Sequence, residues 1–189
     1  MLAKRIALTA ALIVCSTLGC KEGSPATGGI SPVEAAFVSE DRPTNVTSRY
    51  VSLRERSVDG GRIVLDVILT DIDEPITGIA LKLNYPDSFS KFIECTAGDL
   101  FPSGQCFFAE PSSGSGEVFI GRSVSAQNQA TTVSGDKVIV RVEFLAFGES
   151  SGPIVIEGQN LGGGDASAVL DVNGDPILMQ WFSGTLQGT

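Results

Sequence analysis

The feature that most constrains how this chain can fold is the apolar pattern of residues 62–85. In the second half of this stretch, Ile79, Leu81, Leu83 and Tyr85 alternate with small or polar residues, which is the period of two of a β-strand with one buried face. The first half, residues 62–70, is apolar on nearly both faces and is interrupted only by Asp66. Such a run is typical of a central strand that is covered on both sides. The chain is therefore predicted to build a sheet with a second sheet packed over it.

Short apolar or alternating runs, separated by turn residues, continue along the rest of the chain. The clearest is 137–146, in which one face would be formed by Val138, Val140, Val142, Phe144 and Ala146. Residues 153–157 begin with a proline, which predicts an edge strand. Asn173-Gly174 predicts a hairpin. Strands at intervals of roughly ten residues, with no convincing helical period, predict one all-β domain. We expect a single antiparallel β-sandwich of about nine strands in a jelly-roll-like arrangement.

The first nineteen residues have the pattern of a targeting signal. Lys4 and Arg5 precede an apolar run at 6–14, which Ser16-Thr-Leu-Gly-Cys20 closes. This ending resembles the cleavage motif of bacterial lipoproteins, which implies lipid attachment at Cys20. An ordinary secretory signal or a short membrane helix is the alternative, although the run is about half of the roughly 20 apolar residues that a span requires. The prediction is a lipoprotein signal peptide at 1–19, a flexible linker at 20–46 and a folded domain at 47–189.

Charge and the predicted anchor limit the partners that this chain can have. Without residues 1–19 the sequence has 11 Lys and Arg against 22 Asp and Glu, a net charge of 11 − 22 = −11. Such a surface repels nucleic acids and anionic lipid headgroups, so membrane contact is expected through the lipid anchor only. The predicted location is extracytoplasmic, lipid-anchored in a bacterial cell envelope. Lys21 after the cysteine resembles an outer-membrane sorting signal, if the source has an outer membrane.

Cys95 and Cys106 are the two cysteines outside the signal region. Export to an oxidising compartment and their even number favour a disulfide between them. A metal pair is the weaker alternative, because the sequence has no His to complete a zinc site. Residues 95–116 are rich in Gly, Ser and Pro, and we expect a long loop pinned by the disulfide, with Phe107 and Phe108 turned inward.

No catalytic residue, cofactor or metal site is predicted. The sequence has no His and no Ser in a Gly-x-Ser-x-Gly motif. Two carboxylates could form a glycosidase pair, but 22 acidic residues produce such pairs by chance. Two acidic turns could hold calcium, one with Asp71, Asp73 and Glu74 and one with Asp171, Asn173 and Asp175. The second lacks the glycine and the bidentate Glu of a calcium loop, so solvated turns are the favoured interpretation.

A sugar-binding surface would need a row of exposed aromatic side chains. Besides its phenylalanines, the sequence offers only Trp181, Tyr50 and Tyr85. Tyr85 is in phase with the buried face of its strand, and Trp181 is interpreted as a packing residue. A flat sugar platform is therefore not supported.

The order of segments resembles the cohesin domain, in the superfamily that it shares with cellulose-binding modules. The resemblance rests on residues 61–70, 76–86, 137–146, 171–177 and 183–186. It departs at Tyr85-Pro86-Asp87, where cohesins typically have Tyr-Asp-Pro, and in the disulfide loop. The resemblance implies a dockerin-type protein partner on one open sheet face, with Asn84 and Asp87 carried over as contacts. We add Lys82, Arg141 and Glu143 to this partner-binding set only because strand alternation predicts that their side chains lie on an outer face.

The sequence therefore predicts a lipid-anchored, non-catalytic binding module with a protein partner. Two alternatives remain open. One is a polysaccharide-binding module linked to polysaccharide catabolism, and the other is a structural envelope lipoprotein without a specific ligand.

Overall fold

The computed structural model describes residues 33–101, 106–110, 115–124, 130–158 and 166–189. The predicted signal peptide, Cys20 and the first part of the predicted linker lie outside these residues. The described residues form twelve strands: β1 (Ala35–Ser39), β2 (Tyr50–Asp59), β3 (Arg62–Asn84), β4 (Ser90–Ala97), β5 (Phe107–Ala109), β6 (Glu117–Ser123), β7 (Thr131–Ala146), β8 (Ser150–Ile156), β9 (Ala168–Asp171), β10 (Pro176–Ile177), β11 (Gln180–Phe182) and β12 (Gly184–Gly188). Within these ranges there is no helix that could cross a membrane.

The predicted β-sandwich is confirmed, and β3 is the strand that joins its two sheets. The first half of β3 pairs with β2 on one side and with β7 on the other. Its second half pairs with β6 on one side and with β9 and β8 on the other. Side chains from both halves, such as Leu65 and Leu81, belong to one buried core. The two halves therefore lie in two facing sheets.

The bend in β3 lies where the sequence predicts a turn between two strands. Asp71 has a φ of 43°, and the pairing with β7 shifts register between Thr70 and Ile72 and again before Ile76. These irregularities let one strand of 23 residues pass from sheet to sheet. The two strands predicted at 62–70 and 78–85 are thus one bent strand.

We call the two layers the first and the second sheet. The first sheet runs β11–β2–β3–β7–β4, and the second contains β9, the carboxyl half of β3, β6 and β5. On one side, β8, β12 and β1 continue from the end of β3 and close the sandwich. The pair β11 and β2 is parallel, so the sandwich is not entirely antiparallel. The opposite side ends in the edge strands β4 and β5.

The structure corrects the linker that the sequence predicts at residues 20–46. Ala35–Ser39 forms β1 and pairs with β12. Ala35 and Phe37 are buried in the core. Five residues are too few to give a clear alternation, and their burial depends on pairing with residues almost 150 positions away. The folded domain therefore begins well before residue 47.

A bulge in β7 changes which of its residues face the core. The register moves from Val67 opposite Val140 to Ile68 opposite Val138, which leaves one extra residue on β7. Ile139 is consequently fully buried, while Val138, predicted to be inward, is half-exposed. Strict alternation cannot predict a bulge, because the extra residue carries no sequence signal of its own.

Two further expectations about burial need correction. The first half of β3 is covered on both faces only at residues 67–70, which are all buried, whereas Val64 and Asp66 are half-exposed on the outer face of the first sheet. Strand β8 is not an edge strand, since it lies between β12 and the end of β3. Its proline, Pro153, pairs with Thr185.

Candidate functional site

The outer face of the second sheet carries an exposed apolar surface. The strand register aligns Ala80 of β3 with Gly121 of β6, and Gly121 with Phe107 of β5. The next aligned row contains Phe119 and Ala109. We call these five residues, Ala80, Phe107, Ala109, Phe119 and Gly121, the apolar platform. Their strands turn Leu81 and Ile120 into the core, so alternation places the platform residues outside.

The platform is a shallow groove with a flat floor. A Cβ atom added at Gly121 would have no neighbour within 4 Å, and Ala80 next to it is exposed. The groove has a volume of about 460 Å³ and extends to Ala166. Small residues in the centre with Phe107 and Phe119 beside them leave room for an elongated apolar ligand surface.

The expectation that Phe107 and Phe108 both point inward is wrong for Phe107. Phe107 is 67% exposed and lies on the outer face, opposite Gly121. Phe108 points to the inner face, where its ring lies 5.1 Å from that of Phe92, yet it is 49% exposed. Both are exposed because β5 is a three-residue edge strand. An apolar residue in a Gly- and Ser-rich stretch gives no sequence signal of which way it points.

Lys82 and Asn84 border the platform and bind the same carboxylate. Lys82 Nζ lies 3.0 Å from Glu157 and 3.3 Å from Glu117, and it sits over the Phe119 ring at 5.6 Å from the centroid. Asn84 Nδ2 donates to Glu157 at 2.5 Å. The hydrogen bond from Lys82 lowers the pKa of Glu157 most, and the one from Asn84 lowers it further. The hydrogen bond between Lys82 and Glu157 also raises the pKa of Lys82. One cation is thus shared by two carboxylates, so this border is net negative.

The same end of the second sheet holds Asp87. It follows β3 and is exposed, close to Gly116 at the start of β6. Tyr85 beside it is buried and donates from its hydroxyl to Glu110 at 3.0 Å. Burial, followed by that hydrogen bond, raises the pKa of Tyr85 to about 12. Three of the five predicted partner-binding residues, Lys82, Asn84 and Asp87, therefore lie at one end of this sheet.

The other two, Arg141 and Glu143, lie on the first sheet and do not join this group. Arg141 Nε lies 3.4 Å from Asp66, and the Arg141 guanidinium donates to the Ala97 carbonyl at 3.0 Å. Glu143 forms an ion pair with Arg62. Their side chains lie on an outer face, as strand alternation predicts. Alternation alone, however, does not show which sheet a strand joins.

Charges on the outer face of the first sheet compensate one another. Asp66 lies between Arg56, at 3.4 Å, and Arg141, and Arg54 lies 2.9 Å from Asp136. Each of these arginines therefore lies beside a carboxylate of the same face. The apolar platform lies on the other sheet.

The aromatic residues named for sugar stacking do not form an exposed row. Tyr50 is buried edge-on against Phe182, with ring centroids 5.8 Å apart. Tyr85 is buried 5.5 Å from Phe144. Trp181 is partly buried against the core.

The two acidic turns are held by hydrogen bonds and an arginine. Arg49 lies 2.7 Å from Asp73 and 2.9 Å from Glu74. Asp171 accepts backbone N–H bonds from Asn173 at 2.8 Å and Asp175 at 2.9 Å, and these bonds, that from Asp175 first, lower its pKa. In the described part of the chain, no three His, Cys, Asp or Glu residues are grouped to hold a metal ion.

The disulfide between Cys95 and Cys106 is confirmed, with the Cα atoms 6.1 Å apart. Cys95 lies in β4 and Cys106 directly precedes β5. The bond therefore connects an edge strand of the first sheet to an edge strand of the second. No backbone pairing between β4 and β5 occurs among the described residues.

Comparison with known proteins gives structural matches only. No protein-family model matches the sequence, and no curated protein matches it. The sixth cohesin of scaffoldin B from Acetivibrio cellulolyticus, solved in complex with a Cel5 dockerin mutant, superposes with a TM-score of 0.58 and 17% identity, over 74% of this chain and 97% of that one.

Two further solved structures agree with this match. The cohesin of the Coh-OlpA-Doc918 complex from Clostridium thermocellum gives a TM-score of 0.57 at 17% identity, covering 73% of this chain and 96% of that one. A non-cellulosomal cohesin from the archaeon Archaeoglobus fulgidus gives 0.51 at 18% identity, covering 72% and 88%. At these identities the similarity concerns the fold. The chain has the β-sandwich fold of the cohesin domains.

Proposed function

We propose that this protein is a non-catalytic binding module that captures a protein partner through the apolar platform. The observation that carries the proposal is a contiguous exposed apolar surface, with Phe107 67% exposed, next to a border of charged side chains. Protein interfaces have this organisation, with an apolar centre inside a polar rim. Exposed apolar patches on otherwise polar proteins mark interaction sites.

The groove and its charges suggest what the partner looks like. A floor of Ala80 and Gly121 with Phe107 and Phe119 beside it suits the apolar stripe of a helix. Glu117 and Glu157 at the border outnumber Lys82, so Lys or Arg residues flanking that stripe would be favoured. Since cohesins of this fold are solved bound to dockerins, a dockerin-type module is the partner that we propose.

A non-catalytic role agrees with the chemistry of the platform. Its five residues are Ala, Gly and Phe, which offer neither a nucleophile nor a proton-transfer group. The sequence has no His. The proposed activity is therefore recognition alone.

Calorimetry tests this proposal against the polysaccharide-binding alternative. Residues 31–189, the unit that contains all twelve strands, would be titrated with a panel of dockerin modules, with soluble cellulose fragments and with envelope polysaccharides. We expect micromolar or tighter binding to at least one dockerin and no saturable binding to the glycans. Micromolar binding to a glycan with no dockerin bound would instead favour the polysaccharide-binding module.

We also propose that the mature chain is anchored in the cell envelope through a lipid on Cys20, facing away from the cytoplasm. Two or three acyl chains, at about 0.8 kcal/mol per buried methylene, would hold it there durably. Changing Cys20 to Ala should move the protein from the detergent phase to the aqueous phase in Triton X-114 partitioning. Aqueous partitioning of the unaltered protein would contradict the anchor.

A further inference from the structure

Strand β5 supplies Phe107 and Ala109 to the platform, although it is short and weakly paired with the sheet. It has three residues, and all three are exposed. Its pairing consists of three positions on β6, from Phe107 opposite Gly121 to Ala109 opposite Phe119. Short edge strands of this kind gain little from burial, so other contacts must keep β5 in register.

Among the described residues, three contacts hold β5, one at each end and one in its middle. At its start, Cys106 is bonded to Cys95. In its middle, the Phe108 ring packs 5.1 Å from the Phe92 ring. At its end, Glu110 accepts the hydrogen bond of Tyr85 at 3.0 Å. The first of these is the covalent one.

The disulfide connects β5 to a strand that is paired with the buried core. Cys95 is opposite Val142 in the pairing of β4 with β7. Val142 is fully buried in the core, and β7 is paired along the first half of β3. Both sulfur-bearing side chains also pack against this core. A tether fixed at Cys95 therefore restricts where Phe107, one residue after Cys106, can be.

We propose that the Cys95–Cys106 disulfide positions the recognition strand, so that the apolar platform is complete only in the oxidised chain. The role in recognition rests on the proposed function, whereas the positioning of β5 does not. A chain with reduced cysteines keeps the sandwich core but loses the Phe107 and Ala109 side of the groove for part of the time. Its apparent affinity falls in proportion to the fraction of molecules with β5 in place.

The chemistry of the change is simple. Reduction breaks the Sγ–Sγ bond and adds two electrons and two protons, which gives two thiols. A phosphine reductant such as TCEP supplies the electrons and becomes its oxide by taking the oxygen of water. In a reducing compartment the platform would be incomplete, and it would form after transfer to an oxidising one.

Hydrogen–deuterium exchange measured on the full chain tests the positioning directly. We would compare the oxidised protein, the TCEP-reduced protein and the double variant Cys95→Ala/Cys106→Ala. The expected result is at least tenfold faster exchange in peptides covering residues 107–110 in both states that lack the disulfide. Peptides covering residues 140–144 of β7 should change far less.

Ile177→Ala is the matched control. Ile177 is buried in β10 and opposite Val169, so this change destabilises the whole domain without altering the disulfide. It should speed exchange generally, with no excess at 107–110. The same excess at 107–110 in Ile177→Ala, unchanged exchange there after reduction, or global unfolding of the reduced chain would each overturn the proposal.

A binding measurement separates this proposal from the proposed function. Titration with the dockerin modules should give at least a tenfold higher Kd for the reduced protein and the double variant than for the oxidised protein. Equal affinity in all three states would overturn the role in recognition. If no dockerin bound even the oxidised protein, the proposed function would fail, while the exchange experiment would still decide whether the disulfide positions β5.

Discussion

Ala80→Arg will weaken binding of a dockerin partner by at least about 100-fold, or about 2.7 kcal/mol, without unfolding the domain. Ala80 is exposed on the floor of the platform, beside Gly121, so the free protein can place a longer side chain in solvent. In the complex the same side chain would block the groove floor. Its charge would also have to lose water against Phe107 and Phe119, which is costly without a paired carboxylate. Calorimetry would measure the affinity, and urea unfolding would check stability.

Ser57→Arg is the control for this prediction. Ser57 is exposed on β2, which belongs to the first sheet, and it receives the same side chain and the same added charge. Its affinity should stay within about twofold of the unaltered protein, as expected for a surface change outside an interface. Equal weakening by both variants would indicate a general charge effect. No weakening by Ala80→Arg would remove the platform from the interface.

Arg122→Met will destabilise the domain by about 2–4 kcal/mol. Arg122 is only 3% exposed, on the inner face of β6. Its guanidinium donates to the carbonyl oxygens of Phe101 at 2.6 Å, Ile139 at 2.9 Å and Gly98 at 3.3 Å. Burial lowers its pKa. The Ile139 carbonyl also accepts from Gly98, so methionine would leave the carbonyls of Phe101 and Gly98 without this donor.

The carbonyls of Phe101 and Gly98 decide whether Arg122→Met stabilises or destabilises the domain. Methionine avoids burying a charge, which by itself would stabilise the protein. The segment that Arg122 holds is also bonded to β7, since the Gly98 N–H donates to the Ile139 carbonyl and the Leu100 N–H to the Val138 carbonyl, both at 3.0 Å. The chain is pressed against β7 there, and we expect the unsatisfied carbonyls to outweigh the gain.

Arg54→Met provides the comparison. The Arg54 side chain is 60% exposed, and its ion pair with Asp136 is a surface pair, so its loss should cost less than about 1 kcal/mol. Urea unfolding at neutral pH would give the free energy of unfolding of each variant. The slopes of the free energy against urea concentration should be equal, so that only stability differs. A loss of less than 1 kcal/mol for Arg122→Met would contradict the role assigned to this residue.

The sequence predicts those parts of the fold whose signal is local. Alternation around Leu81 locates a strand, and Asn173-Gly174 locates the turn between β9 and β10. Strand β1 has no such signal, because Phe37 is buried by pairing with the far end of the chain. The burial of Ile139 in place of Val138 follows from a bulge, which depends on how β7 fits β3.

The site was harder to predict than the fold. The family resemblance supplies Asn84 and strand alternation supplies Lys82, and both lie beside the platform. Alternation also selects Arg141 and Glu143 on the first sheet, because it does not show which sheet a strand joins. The interpretation of residues 95–116 as a pinned loop places Phe107 inside, which is wrong. Its exposure follows from the disulfide and from pairing with β6, both of which are long-range contacts.

Backbone amide chemical shifts measured by NMR test the central claim most directly. The ¹⁵N-labelled domain would be titrated with a dockerin module that calorimetry has shown to bind. We predict the largest shift changes in residues 78–84, 107–109 and 117–123, around the apolar platform, and changes near the noise in residues 52–58 and 141–145 of the first sheet. The largest changes on the first sheet, with the platform unaffected, would contradict the assignment of this face as the docking surface.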